Sequence, residues 1–331
     1  MNTHKITCML FAALLLSACA PRVLLPGPVM NTAHLDQGQY KTADGVSLPT
    51  RIWLPDNQPV KRIIIALHGF NDYSNFINAS ASQLMQSGVA TYAYDQRGFG
   101  GAPHAGLWSG AHTLAEDLFV FINIIKQRHP NIPVYVLGES MGGAVVIVTM
   151  TQKNAPKVSG LILAAPAVWA KNTMPWYQRW ALTLGSYTFP WLKLSPNGLK
   201  ITASDNLVML RKLGRDPLII KETRIDAMHG LTQLMGLALN ASHQLPSNTL
   251  ILYGEHDEVI PKRPTANMLA RLSKAHGLAP KVAVYKQGYH MLLRDLNAQQ
   301  PRSDIVSWMN NPKASLPSGA DVRSIEWLLK E

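Results

Sequence analysis

The chain contains little cysteine and little negative charge. Only two of its 331 residues are cysteine, which excludes a scaffold of several disulfides and a four-cysteine metal site. Charged residues make up 15% of the chain against 47% hydrophobic residues, a balance that excludes disorder over most of its length. The 31 Lys and Arg exceed the 20 Asp and Glu, so the formal net charge is +11. This positive charge is compatible with binding to nucleic acid or anionic lipid, and also with the absence of any charged partner. Composition therefore leaves the function open.

Several cofactor and partner signatures are also missing. The sequence has no His-Glu-x-x-His, paired-cysteine or Walker pattern, so no metal or nucleotide cofactor is predicted. Residues 98–101 read GFGG after a strand-like run, but Pro103 stands where a dinucleotide fingerprint needs its third glycine. No basic–aromatic binding module is present, and nucleic acid is therefore not predicted as a partner.

The first twenty residues resemble the secretory signal of a bacterial lipoprotein. Lys5 precedes an apolar run over residues 6–16, which is too short to span a bilayer comfortably. Small residues lead into Cys19, and residues 16–19 (LSAC) are similar to a lipobox, in which the cysteine is acylated and becomes the mature N-terminus. The sequence predicts a signal peptide over residues 1–18 and lipid attachment at Cys19. An ordinary signal peptide with a chance cysteine is the alternative.

Three further expectations follow from this anchor. Cleavage removes Cys8 and one positive charge, so the mature chain has a net charge of +10 and no free thiol. By the sorting pattern of such lipoproteins, Ala20 rather than aspartate after the cysteine predicts the outer membrane, facing the periplasm, in a double-membraned bacterium. Residues 19–38 contain three prolines and no clear period, which predicts an extended tether.

Short β-branched runs alternate with helical patterns along the rest of the chain. Asp44-Gly45 between two strand-like segments is a hairpin signal. Buried strands are predicted at residues 62–67, 89–94, 134–137, 160–164, 249–253 and 282–285. Helices are predicted near residues 75–86, 114–128, 143–152 and 264–275. Near-continuous apolar strands separated by helices predict an α/β fold with a mostly parallel sheet covered on both faces.

The alternation is interrupted between residues 170 and 243, which are helical in character without a convincing strand. We expect a mainly helical cap over residues 170–243, inserted into a core formed by residues 39–169 and 244–331. Its many aromatic and methionine residues fit either a surface that receives an acyl chain and meets lipid, or a small satellite core. Its basic residues fit a solvated face or attraction to anionic headgroups. A short helix is also expected near residues 322–329.

The strongest chemical signal is the run GESMGG at residues 138–143. Gly-x-Ser-x-Gly between a strand and a helix is a nucleophile elbow, a turn so tight that a Cβ on either glycine would collide with neighbouring chain. It exposes the hydroxyl of Ser140 at a helix N-terminus, where developing negative charge is favoured. A glycine-rich structural turn with an idle serine is the alternative.

A serine nucleophile needs a base, and the base needs an orienting carboxylate, in the chain order serine, acid, histidine. Glu255, Asp257 and Glu258 follow one predicted strand, and His290 follows the next. Both groups therefore lie at the carboxyl edge of the sheet, where ligands bind in such folds. We predict Asp257 as the acid and His290 as the base, with Glu255 and Glu258 as solvated or capping groups.

Two backbone N–H groups are needed to hold the oxyanion. One is expected from Met141, the residue after the nucleophile, and the other from Phe70 in the loop after the strand 62–67. Gly69 lets the backbone approach. His68 precedes these residues, and we predict that it shapes the loop rather than taking part in catalysis.

Taken together, these motifs resemble α/β-hydrolases of the monoacylglycerol lipase and lysophospholipase branch, sometimes grouped with serine aminopeptidases. The motifs occur in the same order as in that family, at residues 68–69, 95–100, 138–143, 254–257 and 289–290. The resemblance extends from about residue 39 to residue 308. Residues 216–219 (DPLI) look like a cap pattern of that branch. The chain departs from the family at Asn71-Asp72, where members often carry Glu-His, which leaves the mouth of the acyl pocket undetermined.

The resemblance implies a membrane-tethered serine ester hydrolase acting on lipid-like esters, either a monoacylglycerol or a lysophospholipid, without a cofactor. A peptidase, an amidase or a general carboxylesterase on the same fold is the alternative, since ester and amide cleavage share this machinery. A lipoprotein without activity is less favoured, because every member of the triad is present. Acyl length, head group and oligomeric state stay open.

Overall fold

The computed structural model describes residues 20–195, 198, 200–272 and 280–329. The predicted signal peptide, the lipid attachment residue Cys19 and the end of the predicted helix 264–275 lie outside the described residues. Within these ranges, no helix is both long and apolar enough to cross a bilayer.

A mostly parallel sheet forms the centre of the described chain, as predicted. Its nine strands are β1 His34–Asp36, β2 Gln39–Lys41, β3 Ser47–Trp53, β4 Arg62–Leu67, β5 Val89–Tyr94, β6 Val134–Glu139, β7 Gly160–Ala164, β10 Thr249–Gly254 and β11 Lys281–Tyr285. They lie in the order β1-β2-β3-β5-β4-β6-β7-β10-β11. The neighbours from β1 to β5 in this order pair antiparallel, and the neighbours from β5 to β11 pair parallel.

Helices cover both faces of this sheet. They are α1 Asn78–Leu84, α2 Ala111–Arg128, α3 Met141–Met150, α4 Trp176–Thr188, α5 Leu207–Arg215, α6 Ile225–Ala241, α7 Lys262–Leu272, α8 Gln299–Asn310 and α9 Ala320–Leu329. Alternate residues of β4 point to opposite faces: Ile63 and Ile65 pack in the apolar cluster with α2, α3, α6 and α7, whereas Ile64 packs with α1, α8 and α9. The continuous apolar strands are thus explained by burial on both sides.

Two segments differ in detail from the sequence interpretation. The sheet begins at His34 rather than at residue 39, because His34–Asp36 pairs with β2 inside the segment predicted as a tether. The predicted cap contains a strand pair, β8 Lys193–Leu194 and β9 Thr223–Arg224, beside helices α4, α5 and α6. Two-residue strands are too short to produce an alternating pattern, so they could not be predicted from the sequence.

Arg97 joins the start of the sheet to helix α2. Its guanidinium donates to both carboxylate oxygens of Asp44, in the β2–β3 hairpin, at 2.7 and 2.8 Å. It also donates to both oxygens of Asp117, in α2, at 2.7 and 3.0 Å. Nearby, Asp95 accepts the N–H groups of Ser74 and Gly101, so this carboxylate ties the glycine-rich loop to the segment after β4.

Replacing Arg97 by methionine is expected to destabilise the fold. Arg97→Met leaves two carboxylates without their cation, and the side chain of Asp117 is only 7% exposed. Removing one partner of a buried ion pair lowers the free energy of unfolding by about 3–5 kcal/mol. Urea denaturation measures the change. The exposed Arg128→Met is the control and should stay within about 0.5 kcal/mol of the wild type; equal stability of both variants would contradict the role assigned to Arg97.

Candidate active site

The elbow has the geometry that its glycines predict. Strand β6 ends at Glu139 and helix α3 begins at Met141, with Ser140 between them at φ 53° and ψ −115°. A Cβ on Gly138 would lie 2.5 Å from the Gly142 carbonyl oxygen, and one on Gly142 would collide with the β4 carbonyl of Leu67. Both positions therefore require glycine.

Backbone hydrogen bonds hold Ser140 in this strained conformation. Its N–H donates to the Ala164 carbonyl at 2.9 Å, and its own carbonyl accepts from Ala144 at 3.1 Å and Ala167 at 2.9 Å. A non-glycine residue at positive φ costs about 1–3 kcal/mol and persists only where its surroundings enforce it. The surrounding strands and helix thus fix the serine at the carboxyl edge of the sheet, with its side chain partly exposed.

Asp257 and His290 come together at the same edge, beyond the ends of β10 and β11. The imidazole Nδ1 lies 2.9 Å from Asp257 Oδ2, and both residues are buried. The other carboxylate oxygen, Oδ1, accepts the N–H groups of Val259 at 2.9 Å and Ile260 at 2.8 Å. Because the carboxylate is held at both oxygens, it fixes the plane and the tautomer of the imidazole.

The charge state of His290 is set by two opposing effects. Burial of the imidazole opposes its protonation, but the charge and hydrogen bond of Asp257, with a further contribution from the Glu139 carboxylate, raise the pKa of His290 above its usual 6.5. Since Nδ1–H donates to Asp257, Nε2 is the ring nitrogen that can accept a proton.

The neighbouring acids have other partners, and Glu255 is half-buried rather than solvated or capping. Glu258 accepts the N–H of Thr202 at 2.6 Å, which links the cap to the core. Glu255 lies 3.7 Å from the guanidinium of Arg323 on α9. Asp257 is thus the member of this acidic run that meets the imidazole.

The loop after β4 passes directly beside the elbow. A Cβ on Gly69 would lie 3.3 Å from Ser140 Cβ, and Phe70 follows Gly69 in this loop. The ring of Phe70 packs edge-on against Phe99, with ring centroids 5.4 Å apart. Met141, buried at the first position of α3, follows the serine. That Phe70 and Met141 donate the two oxyanion N–H groups stays a prediction.

His68 has the structural role predicted for it. Its Nε2 accepts the backbone N–H of Gln96 at 2.9 Å, so its Nδ1 carries the hydrogen that is donated to the Gly69 carbonyl at 2.8 Å. Complete burial lowers the pKa of His68, which keeps the ring neutral. This histidine therefore shapes the loop and has no free nitrogen for proton transfer.

A buried ion network that sequence reasoning missed connects the three parts of the site. Arg294 donates to Asp72 in the β4 loop at 2.7 Å and to Glu139 in the elbow at 2.5 Å. It lies four residues after His290, in a segment of turns. Burial raises the pKa of Glu139, and the charge of Arg294 counteracts this effect. We call Asp72, Glu139 and Arg294 the brace.

The local sequence contains no signal for the brace. Arg294 is 222 residues from Asp72 and 155 from Glu139. The one available hint was Glu139 itself, an acid inside an otherwise apolar strand-to-helix turn, because a buried carboxylate needs a partner.

The cap is attached to the same loops. On one side, Asn71 donates from its amide to Thr223 at 2.6 Å, and Tyr73 donates from its hydroxyl to Asp216 at 2.7 Å. Asp216 opens the DPLI run noted in the sequence. Asn71 and Asp72 thus supply one cap contact and one member of the brace.

On the other side of the site, cap residues 202–206 lie alongside the loop that carries His290. Met291 donates its N–H to the Ala203 carbonyl at 3.0 Å, and the amide of Asn206 donates to the Arg294 carbonyl at 3.0 Å. Among the residues that the structure describes, no group of three or more His, Cys, Asp and Glu side chains is arranged to hold a metal ion.

A family model described as serine aminopeptidase, S33, matches residues 58–297, well over half of the chain. The chain belongs to this family. It is a serine hydrolase with the α/β-hydrolase fold, on the branch that contains the monoglyceride lipases.

Curated relatives support that branch. Human monoglyceride lipase is 27% identical over 268 residues, which cover 80% of this chain and 86% of the human protein. Monoacylglycerol lipase of Mycolicibacterium smegmatis is 25% identical over 294 residues, covering 85% of this chain and 99% of the relative.

A solved structure shows the same fold. A soluble variant of monoglyceride lipase from Saccharomyces cerevisiae, in complex with a substrate analog, aligns with a TM-score of 0.69 and 20% identity over 86% of this chain and 98% of the yeast chain. The monoacylglycerol lipase of Paleococcus ferrophilus aligns with a TM-score of 0.63 and 22% identity, over 79% of this chain and 98% of its own.

The pH dependence of hydrolysis is expected to report the charge on Glu139. A base must be neutral, so kcat/KM should fall as the pH drops through the raised pKa of His290, and the midpoint should lie above 6.5. Glu139→Gln removes a negative charge that favours the imidazolium while keeping an oxygen for Arg294. The midpoint of the acid limb should therefore move to lower pH, as measured with a soluble ester.

The matched control is Asp72→Asn, which removes the other carboxylate of the brace. If loosening of the brace were the cause, both variants would shift the acid limb alike. A rate that stays flat down to pH 4 in the wild type would exclude His290 as the base.

Proposed function

We propose that the protein hydrolyses carboxylic esters of lipid-like alcohols, namely monoacylglycerols or lysophospholipids, through an acyl-enzyme on Ser140. The observation that carries this proposal is the buried Asp257–His290 pair at 2.9 Å, at the same sheet edge as the strained Ser140 turn. The names of the human and mycobacterial relatives support the choice of a lipid ester.

The residues divide the acylation step between them. His290 Nε2 removes the proton of the Ser140 hydroxyl as its oxygen attacks the ester carbonyl, while Asp257 stabilises the imidazolium that forms. The N–H groups of Phe70 and Met141 hold the tetrahedral oxyanion. Collapse of the intermediate breaks the ester bond, and His290 gives its proton to the departing alkoxide, which leaves as the alcohol.

Deacylation repeats the sequence with water. His290 takes a proton from the water as its oxygen attacks the acyl carbonyl on Ser140, and then returns that proton to the serine oxygen as the fatty acid leaves. The chemistry needs no metal or organic cofactor.

The serine-hydrolase mechanism is tested by fluorophosphonate labelling of the purified protein. We expect one adduct that Ser140→Ala abolishes, together with a loss of esterase rate on the order of 10⁴-fold or more. Ser82→Ala, at an exposed serine on α1, is the control and should keep both labelling and rate. An adduct that survives Ser140→Ala would refute the assignment.

The same preparation separates the substrate classes. A monoacylglycerol, a lysophospholipid, a short-chain nitrophenyl ester and an aminoacyl anilide are compared by kcat/KM. Preference for the anilide would establish the amidase or peptidase alternative that the S33 description names. Preference for the short-chain ester would indicate a general carboxylesterase.

We further propose that the enzyme is an acylated lipoprotein, anchored through Cys19 to the outer membrane of a double-membraned bacterium and facing the periplasm. The support is the charged start, the apolar run over residues 6–16 and the LSAC sequence at residues 16–19.

Metabolic labelling of bacterial cells with an alkyne fatty acid tests the anchor. The full chain should incorporate the label and fractionate with membranes, whereas Cys19→Ala should lose the label. Cys8→Ala lies in the segment that is cleaved, so this variant should keep it. Equal labelling of both variants would exclude Cys19 as the attachment site.

A further inference from the structure

Two basic side chains, Lys171 and His229, meet where the cap joins the core. Lys171 begins a short 3₁₀ turn, Lys171–Thr173, in the segment after β7, and His229 lies on α6. The Lys171 ammonium donates to His229 Nε2 at 2.9 Å, which places the imidazole hydrogen on Nδ1. His229 is buried and Lys171 is partly buried. We call these two residues the basic pair.

The basic pair has no anionic partner in the part of the chain that the structure describes. There, no Asp or Glu lies within salt-bridge distance of the Lys171 ammonium. The nearest acid along α6 is Asp226, and its carboxylate is already held by the guanidinium of Arg224 and the N–H of Arg22. A cation removed from water without a counter-ion is unfavourable, so an anion bound at the basic pair would be stabilising.

The pKa values of the basic pair agree with this arrangement. Burial lowers the pKa of Lys171 below its usual value. Burial and, to a smaller extent, the charge of Lys171 lower the pKa of His229. An anion beside the ammonium would oppose both shifts, because an opposite charge favours the protonated form of each group.

The core side of the basic pair leads to the nucleophile. Ala167 donates its N–H to the carbonyl of Ser140 at 2.9 Å, and Lys171 follows Ala167 by four residues. A chain of four residues spans about 14 Å at most. This segment is shorter than that limit, because it turns back where Ala170 donates its N–H to the Val168 carbonyl at 3.0 Å.

The cap side of the basic pair leads to the loop after β4. Gly230, next to His229, lies against the indole of Trp108, since a Cβ on Gly230 would be 2.3 Å from ring atoms. The ring of Trp108 in turn lies 6.4 Å from that of Phe70, centroid to centroid. The basic pair is therefore connected to the candidate site from two directions.

The basic pair is accessible from solvent beside Tyr187 of α4. The rings of Tyr187 and His229 meet edge-on, with centroids 6.2 Å apart, and Tyr187 is 54% exposed. On the same helix Trp176 and Trp180 are 70% and 65% exposed, so the satellite-core interpretation of the cap aromatic residues is wrong. Because Tyr187 and Lys171 both reach the surface, a charged group of a substrate can approach the ammonium here.

We propose that Lys171 binds the phosphate of a lysophospholipid whose ester carbonyl lies at Ser140, and that His229 positions the Lys171 ammonium. The ammonium has two further hydrogens to donate, and a phosphate has charged oxygens that accept them. The glycerol carbons of a lysophospholipid separate its ester from its phosphate, so one molecule can occupy both places. A monoacylglycerol has a hydroxyl instead of the phosphate and forms no ion pair. This inference rests on the proposed function and selects one of its two substrates.

Substrate selectivity tests the phosphate contact. Lysophosphatidylglycerol and the monoacylglycerol with the same acyl chain are compared by kcat/KM in micelles of one neutral detergent. Lys171→Met should lower kcat/KM for the lysophospholipid about tenfold and leave that for the monoacylglycerol within about twofold, because only the phosphate loses a charged partner. Lys212→Met removes the same charge at an exposed position of α5 in the cap and is the matched control. An equal loss for both substrates, or equal selectivity in the two variants, would overturn the proposal.

The role of His229 is tested by a split between KM and kcat. His229→Phe removes the nitrogen that accepts from Lys171 and should raise KM for lysophosphatidylglycerol about tenfold with kcat unchanged. His229→Gln keeps an acceptor in its side-chain oxygen and should restore most of the affinity. A fall in kcat for both substrates, alike in His229→Phe and His229→Gln, would show a purely structural role and overturn the positioning of Lys171.

Binding without turnover separates this inference from the proposed function. Ether analogues of the two lipids, which have no ester to cleave, are titrated calorimetrically into the wild type and Lys171→Met. The wild type should bind the phospholipid ether about tenfold more tightly than the glycerol ether, and Lys171→Met should lose this preference. The same preference in a protein that hydrolyses neither ester would support the phosphate site and refute the proposed function.

Two results of the titration would overturn the inference itself. Hydrolysis of the esters without a preference for the phospholipid ether would refute the basic pair as a phosphate site and leave the proposed function intact. Inorganic phosphate that binds as tightly as the phospholipid ether, and only when Lys171 is present, would assign the site to the free anion and not to a substrate.

Discussion

One buried guanidinium holds the three loops of the active site together. Arg294 contacts Asp72 in the loop after β4 and Glu139 next to Ser140, and it follows His290 by four residues. Taking three charged groups out of water is costly, so the arrangement is stable only while each charge has its partner. That requirement fixes the relative positions of the loops, because a shift of any one of them would leave a charge uncompensated. The geometry of the candidate triad therefore depends on the pairing of these buried charges as much as on packing.

The cap is coupled to this arrangement through short contacts. Asn71 and Tyr73 bond the cap on one side of the site, and Glu258 and Met291 bond it on the other. Movement of the cap would break hydrogen bonds to the loops that carry the site. The cap is thus hydrogen-bonded to the loops beside the candidate nucleophile and base. The N–H of Arg22 donates to Asp226 of the cap, which adds the N-terminal segment to the same set of contacts.

The sheet, the elbow and the Asp257–His290 pair could be predicted from the sequence because each depends on local patterns. Parallel strands end at one edge, so residues that follow them in the chain meet in space even when they are far apart in sequence. The brace and the cap contacts follow no such rule. Their partners are separated by 56 to 222 residues, and no periodicity relates them. The strand pair β8–β9 escaped prediction for a different reason, since two residues do not establish an alternation.

The roles of Asn71 and Asp72 follow from the contacts that they make. Asp72 alone in this loop would be a buried carboxylate with an unpaired charge, and so would Glu139 in the elbow. Arg294 satisfies both, which means that the acid in the loop, the acid in the elbow and the arginine after the histidine are favourable only as a set. Asn71 adds a further contact, because its amide binds Thr223 of the cap. Asn71 and Asp72 therefore determine how the site is supported, through Thr223 and Arg294, while the predicted catalytic residues Ser140, Asp257 and His290 lie outside this set.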